Sequence, residues 1–205
     1  MRISENQRAV KIIDVTGVIL AGGKSSRMGK NKALLDFGGR SIIEHTVDLF
    51  KSIFPEVLLV TNTPEEYKGL SVRIVTDIFP GKGSLGGVYT GLLYSSNEYS
   101  FIASCDMPFL KRGLIEFLMT LRDGYDVVVP RLKGGHEPLH AVYSKRCLKP
   151  IEEMIKRNDL RIIGFYQGVR AREVSEEELA PFNPGPSAFI NVNTPEEYEE
   201  ALRKR

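Results

Sequence analysis

The chain has 205 residues, of which 42% are hydrophobic and 26% charged, and a formal net charge of +2. These proportions lie near the averages of soluble globular proteins, which excludes a disordered, collagen-like or membrane-embedded body, and so small a net charge gives no reason to expect nucleic acid or an anionic membrane as partner. The length suits one domain that buries roughly 70% of the surface its unfolded form exposes; Cys105 and Cys147 follow neither a metal-ligand spacing nor a disulfide framework, which fits a reducing cytoplasm.

Residues 1–14 scatter Arg2, Glu5, Arg8, Lys11 and Asp14 among apolar residues, so they hold no uninterrupted signal-peptide core and read as a leader before a single domain over 15–205. The apolar, partly β-branched run 15–21 ends in glycines and predicts a buried strand feeding a phosphate-type loop. Over 41–54 the period changes: Ile42, Ile43, Val47, Leu49, Phe50 and Ile53 recur at helical intervals behind Ser41, whose capping box Glu44 completes. A second strand over 57–60 ends at Asn62, and a helix starts near Pro64. A strand over 72–75, a glycine-containing helix over 85–94, a strand over 100–105 ending at Asp106, a helix over 110–121 and a strand over 126–130 follow. The last third is less regular, with strands over 139–143 and 188–193, helices over 148–157 and 195–203, a solvated turn at 176–178 and a loop over 181–186.

Alternation of apolar strands with amphipathic helices predicts an α/β fold built on a mainly parallel twisted sheet with helices on both faces. Ligands bind such sheets beyond the carboxyl ends of the strands, and Gly22, Asn62 and Asp106 each follow a strand, so they line one crevice.

The stretch from Gly22 to Lys32 superficially matches a Walker A loop, but five residues separate Gly23 from Gly29 and Asn31 follows Lys30, which rules that loop out. The glycines do not fit the dinucleotide-binding fingerprint either. Two readings remain from the residues alone: a backbone cradle for phosphate oxygens with Arg27 and Lys32 adding positive charge, or a solvated basic loop. Asp106 follows an apolar strand and precedes Met107 and Pro108. It is either a magnesium ligand, since that ion needs only one or two protein carboxylates, or the N-cap of the next helix. Asn191 and Asn193 share a face of the predicted 188–193 strand, and Asn193 either adds a neutral oxygen to the metal or binds a second substrate. Thr194 or Asn193 caps the helix that Pro195 opens. Gly81, Gly83, Gly86 and Gly87 around Lys82 suggest a second anion-receiving loop ahead of a helix N-terminus. His136 and His140 lack a third histidine or cysteine nearby for zinc and take ordinary surface or core roles.

With the string from Leu20 to Leu35 in view, the chain resembles the molybdenum cofactor guanylyltransferases, the MobA family. Four later segments carry the resemblance in the family's order: Gly83 to Gly87 with Thr90 and Gly91, Ser104 to Leu110, His136 to Tyr143, and Phe189 to Glu196. Ser84 stands where many members have proline, and Glu197 where an aspartate is frequent. The resemblance implies a Rossmann-like nucleotidyltransferase fold, GTP and Mg²⁺, and transfer of GMP to molybdopterin carrying molybdenum, with cofactor-delivery proteins and recipient apo-enzymes as further partners. It assigns Leu20, Ala21 and Gly22 to the guanine and ribose end, Lys32 to the phosphates, Gly23, Asn62, Asp77, Gly86 and Gly87 to further GTP contacts, and Asp106 to the metal. Glu137, Asn191 and Asn193 fall to the acceptor.

No nucleophile and base pair is evident, and the implied reaction needs none. A phosphate monoester is already anionic, so attack on the α-phosphorus requires alignment and charge neutralisation by Arg27, Lys32 and a metal on Asp106. A cytidylyltransferase for the same pterin, a sugar-phosphate nucleotidyltransferase and a noncatalytic GTP-binding regulator are the competing readings.

Overall fold

The computed structural model describes residues 14–22, 31–182 and 186–204. All of the leader but Asp14, Gly23 and Arg27 of the glycine-rich stretch, and part of the 181–186 loop lie outside these residues.

Strand β1 (Val15–Leu20) is buried along its whole length. It sits between β2 (Glu56–Thr61) and β4 (Tyr99–Ser104), parallel to both, with Leu20 opposite Val60 and Ser104; β3 (Arg73–Thr76) extends the parallel half beyond β2. Side chains alternate across a pleated strand, so β1 feeds two cores. Val15 and Ile19 face α1 (Ile42–Ile53) and α3 (Arg112–Thr120), while Val18 and Leu20 face α2 (Gly83–Tyr94) and α4 (Leu148–Lys156). The predicted capping box between Ser41 and Glu44 opens α1, whose Ile42, Ile43, Val47 and Phe50 are buried.

Helix α2 comes unusually close to β1. A Cβ on Gly91 would stand 2.6 Å from Val18 Cγ1, and one on Gly87 would stand 3.3 Å from the Leu20 methyls. Glycine at these two positions lets the helix rest directly on the central strand, which brings its first turn to the end of β1.

Beyond β4 the expected parallel order gives way. Strand β5 (Val127–Leu132) turns back through the two-residue β6 (Gly135–His136), and β7 (His140–Ser144) runs antiparallel between β4 and β5. Only residues 133–139 separate β5 from β7, too few for the crossover of a dozen or more residues that a parallel pair needs. The last strand, β8 (Ala171–Ser175), returns to parallel pairing with β5. The α/β class holds with helices on both faces, but the sheet is mixed.

Other expectations are corrected locally. The strand expected over 188–193 is absent: a 3-10 turn (Pro186–Phe189) leads into irregular backbone. Ala188, Phe189 and Val192 are nonetheless buried, so the apolar run reports packing rather than ladder pairing. The helix near Pro64 is a single 3-10 turn (Pro64–Tyr67). The turn at 176–178 is a short helix, α5 (Glu176–Leu179), because Ser175 and Glu178 form a capping box. The closing helix α6 (Pro195–Arg203) appears as predicted, capped by Thr194 with Glu197 reciprocating.

Candidate nucleotide-transfer site

The carboxyl ends of β1, β2, β3 and β4 share one edge of the sheet, and the chain leaves β1 between its neighbours there. The Cys105 N–H donates to the Leu20 carbonyl at 3.0 Å, and the Ala21 N–H to the Val60 carbonyl at 2.8 Å. Leu20 and Ala21 are therefore buried and fixed, while Gly22 is exposed with no atom within 4 Å of where a Cβ would be. Asn62, after β2, is exposed at the same edge.

Asp77 follows β3 and is 8% exposed. Its Oδ1 accepts from Thr90 Oγ1 at 2.8 Å and from the Phe79 N–H at 3.0 Å, so the carboxylate ties the turn after β3 to the middle of α2. A Cβ on Gly86 would stand 3.0 Å from the Phe79 carbonyl oxygen and 3.2 Å from Asp77 Oδ2. Gly86 and Gly87 thus allow the first turn of α2 to pack on Asp77 and Leu20, and both are buried beneath the edge rather than displayed on it.

Lys32 opens a 3-10 turn (Lys32–Leu34) capped by Asn31, whose Oδ1 accepts from the Ala33 N–H at 3.1 Å. The Asn31 amide donates in turn to Tyr67 OH at 2.7 Å and to Glu66. Tyr67 is buried, which pushes its phenol up to about 12, so it stays neutral and serves as a rigid post. From this anchored turn Lys32 Nζ donates to Asn193 Oδ1 at 3.1 Å, across 161 positions of sequence. Asn31 was not singled out by its sequence context, although asparagine ahead of a short helical turn is a recognisable cap signal.

Asp106 and the C-terminal segment meet through backbone: the Val192 N–H donates to the Asp106 carbonyl at 2.9 Å. The cap alternative for Asp106 fails, because α3 begins at Arg112 with Lys111 in the cap position. Asp106 Oδ1 and Asn191 Oδ1 are both buried with no hydrogen-bond partner among the described residues. Two orphaned oxygen acceptors, one anionic and one neutral, are costly unless something binds them. A hard divalent cation suits that donor set, and Mg²⁺ takes its remaining ligands from phosphates and water. No cluster of three or more His, Cys, Asp and Glu side chains among the described residues is placed to hold a metal, so a site built on Asp106 relies on such ligands. Asn191 and Asn193 do not share a strand face: Asn193 is exposed and its N–H donates to Glu197 Oε2.

Glu137 lies in the turn from β6 to β7, half-buried, and burial raises its carboxyl above the usual range. The Ser104 N–H donates to the Leu139 carbonyl at 3.3 Å, which sets this turn beside the end of β4. His136 pairs with Glu173 at 2.8 Å. His140 is wholly buried, edge-on to Phe101 and Phe189, and burial pulls its imidazole down to about 3. Both rings take the surface and core roles expected of them.

On this sheet order the carboxyl edge gathers an anchored lysine, a carboxylate with an orphaned oxygen and a fixed strand-to-loop exit, and by the family it matches the chain is a nucleotidyltransferase of the α/β class. Residues 17–171 match the MobA-like NTP transferase domain, and the chain belongs to that family. It is 43% identical over 189 residues to the molybdenum cofactor guanylyltransferase of Desulfosudis oleivorans, covering 91% of this chain and 94% of that one. A probable molybdenum cofactor guanylyltransferase of Pelotomaculum thermopropionicum is 40% identical over 190 residues, with 93% of each chain covered. The crystal structure of molybdopterin-guanine dinucleotide biosynthesis protein A from Archaeoglobus fulgidus shares the fold at a TM-score of 0.82 and 22% identity, covering 92% of this chain and 97% of that one. No helix among the described residues is long and apolar enough to cross a membrane.

Proposed function

We propose that the chain transfers GMP from GTP to molybdopterin carrying molybdenum, releasing pyrophosphate, and does so in the cytoplasm. The observation that carries this reading is the meeting of Asp106 with the Asn191 to Asn193 segment at the mouth of the crevice, joined by the Val192 to Asp106 hydrogen bond and reached by Lys32. The relatives named for this reaction are similar over nearly the whole chain, which supports the choice of nucleotide and acceptor.

An oxygen of the acceptor's terminal phosphate attacks the α-phosphorus of GTP; a P–O bond forms as the bond to the β-phosphate oxygen breaks, and that oxygen leaves with pyrophosphate. Both nucleophile and leaving group are anionic, so the protein's task is to align them and offset their charge. Leu20 to Gly22 present backbone to the nucleoside end, and their rigidity follows from the bonds to Cys105 and Val60. Lys32, held at a fixed height by Asn31 and Tyr67, neutralises phosphate charge, and Arg27 from the same stretch of sequence shares that task. Asp106 and Asn191 would hold Mg²⁺, which supplies neutralisation of the phosphate oxygens when bound. Asp77 acts from beneath, by holding α2 against the crevice floor.

The test is a single-turnover reaction with metal-loaded molybdopterin, Mg²⁺ and GTP, CTP or ATP in turn, with the product identified by mass. GTP should give the guanine dinucleotide and pyrophosphate. Asp106→Asn should abolish both products while its thermal midpoint stays near wild type; near-normal turnover in that variant sinks the assignment.

A further inference from the structure

We propose that Glu137 reads the 2-amino-4-oxopyrimidine edge of the pterin acceptor, an inference that rests on the transferase reading above. The turn that carries Glu137 is braced through its backbone. The Glu137 N–H donates to the Pro130 carbonyl at 3.0 Å, the His140 N–H donates to the Glu137 carbonyl at 3.1 Å, and Tyr143 OH donates to the Pro138 carbonyl at 2.6 Å. Because the Tyr143 proton is spent on Pro138, Tyr166 OH is the donor in the 2.8 Å contact between the two phenols. Both tyrosines are buried, so this chain of bonds holds the turn rigidly from below.

The side chain at the top of this support is uncommitted. The carboxylates of the neighbouring β8 and α5 are spent: Glu173 on His136 and Arg131, Glu176 on the Lys133 N–H, and Glu178 on Arg172. Glu137, by contrast, has a side chain with no hydrogen bond or ion pair to any described residue. Burial, with no cation among the described residues to offset it, raises its carboxyl above the ordinary range. A half-buried carboxylate on a braced turn, with no donor among the described residues, offers an acceptor pair to a ligand.

Position decides which ligand. The strand order β1, β4, β7 puts Leu20 on one side of β4 and the Glu137 turn on the other, with Asp106 between them. A nucleotide lying from Leu20 to Asp106 leaves the Glu137 side to the second substrate. A carboxylate matches two parallel N–H donors. The pterin ring offers that pair at N3–H and the 2-amino group, and guanine carries the same edge, so the two sources must be separated by experiment.

Acceptor dependence is measured for wild type and Glu137→Gln at saturating GTP, beside the preference for GTP over ITP, which lacks the 2-amino group. Glutamine keeps the shape but turns one acceptor into a donor, so the acceptor KM should rise on the order of tenfold or more, with GTP KM and the GTP/ITP preference unchanged. An unchanged acceptor KM overturns the proposal. A collapsed GTP/ITP preference with unchanged acceptor KM also overturns it and gives the carboxylate to guanine. Fluorescence titration with 6-hydroxymethylpterin and 6-hydroxymethyllumazine, which has a carbonyl in place of the amino group, reads the site without turnover. Wild type should favour the pterin and Glu137→Gln should not; equal affinity of wild type for both, or binding of neither, counts against the proposal. Absence of transfer by the wild type would fail the transferase reading, and the titration would still judge Glu137.

Discussion

Replacing His140 with phenylalanine should flatten the acid side of the protein's stability profile. The ring is 0% exposed, packed edge-on at 5.2 Å from Phe101 and 5.0 Å from Phe189, and neither ring nitrogen has a partner among the described residues. Burial alone drives its pKa from 6.5 down to about 3, so the folded state excludes the imidazolium. In the unfolded chain the ring takes up a proton below its ordinary value. Between these two values the unfolded state binds more protons, so the stability present above pH 6.5 is lost as the pH falls through the window. At pH 4.5, two units into it, the loss is about 2–3 kcal/mol, a large share of the usual 5–15 kcal/mol of folding stability. Denaturant unfolding of wild type and His140→Phe at pH 7 and at pH 4.5 isolates the effect. Carboxylates titrate alike in both proteins, and any overpacking by phenylalanine does not depend on pH. The gap between the proteins should shift by that amount in favour of the variant at pH 4.5. Parallel profiles would refute the burial argument for this ring.

Gly91→Ala should destabilise the protein by roughly 1–3 kcal/mol in denaturant unfolding, since its Cβ would stand 2.6 Å from Val18 Cγ1 on the central strand. Gly113→Ala, in α3 with open space around it, should instead be neutral or stabilise by up to about 1 kcal/mol, so equal effects at the two sites would contradict the close approach of α2 to β1. Thr194→Ala removes the α6 cap and should cost about 1 kcal/mol; because Asn191 and Asn193 lead directly into that cap, the variant should also need more Mg²⁺ for half-maximal turnover. An unchanged Mg²⁺ requirement would separate the segment's order from the site's.

Local patterns gave reliable readings where one short window contained the whole cause. The capping box at Ser41 and Glu44, the proline-opened helix after Thr194 and the alternation of buried strands with amphipathic helices all depend on neighbours within a few positions, and all appear. Asp106 and Lys32 stand out in the sequence as candidates, because their charges interrupt apolar or glycine-rich stretches. The same reasoning failed at 188–193, where an apolar run is indistinguishable from a strand until its hydrogen-bond partners are known; the structure pairs Val192 with Asp106 and leaves Asn191 Oδ1 without a partner among the described residues. It also could not foresee the bond from Lys32 to Asn193 or the use of Asp77 to hold Thr90. Residue types, periods and caps act over a few positions, so the sequence by itself determined most of the helices and strands, the α/β class and the charged residues at the strand ends. Which of those residues meet, and that β7 enters the sheet antiparallel, depend on contacts between segments far apart in the chain, and only the tertiary structure decided them.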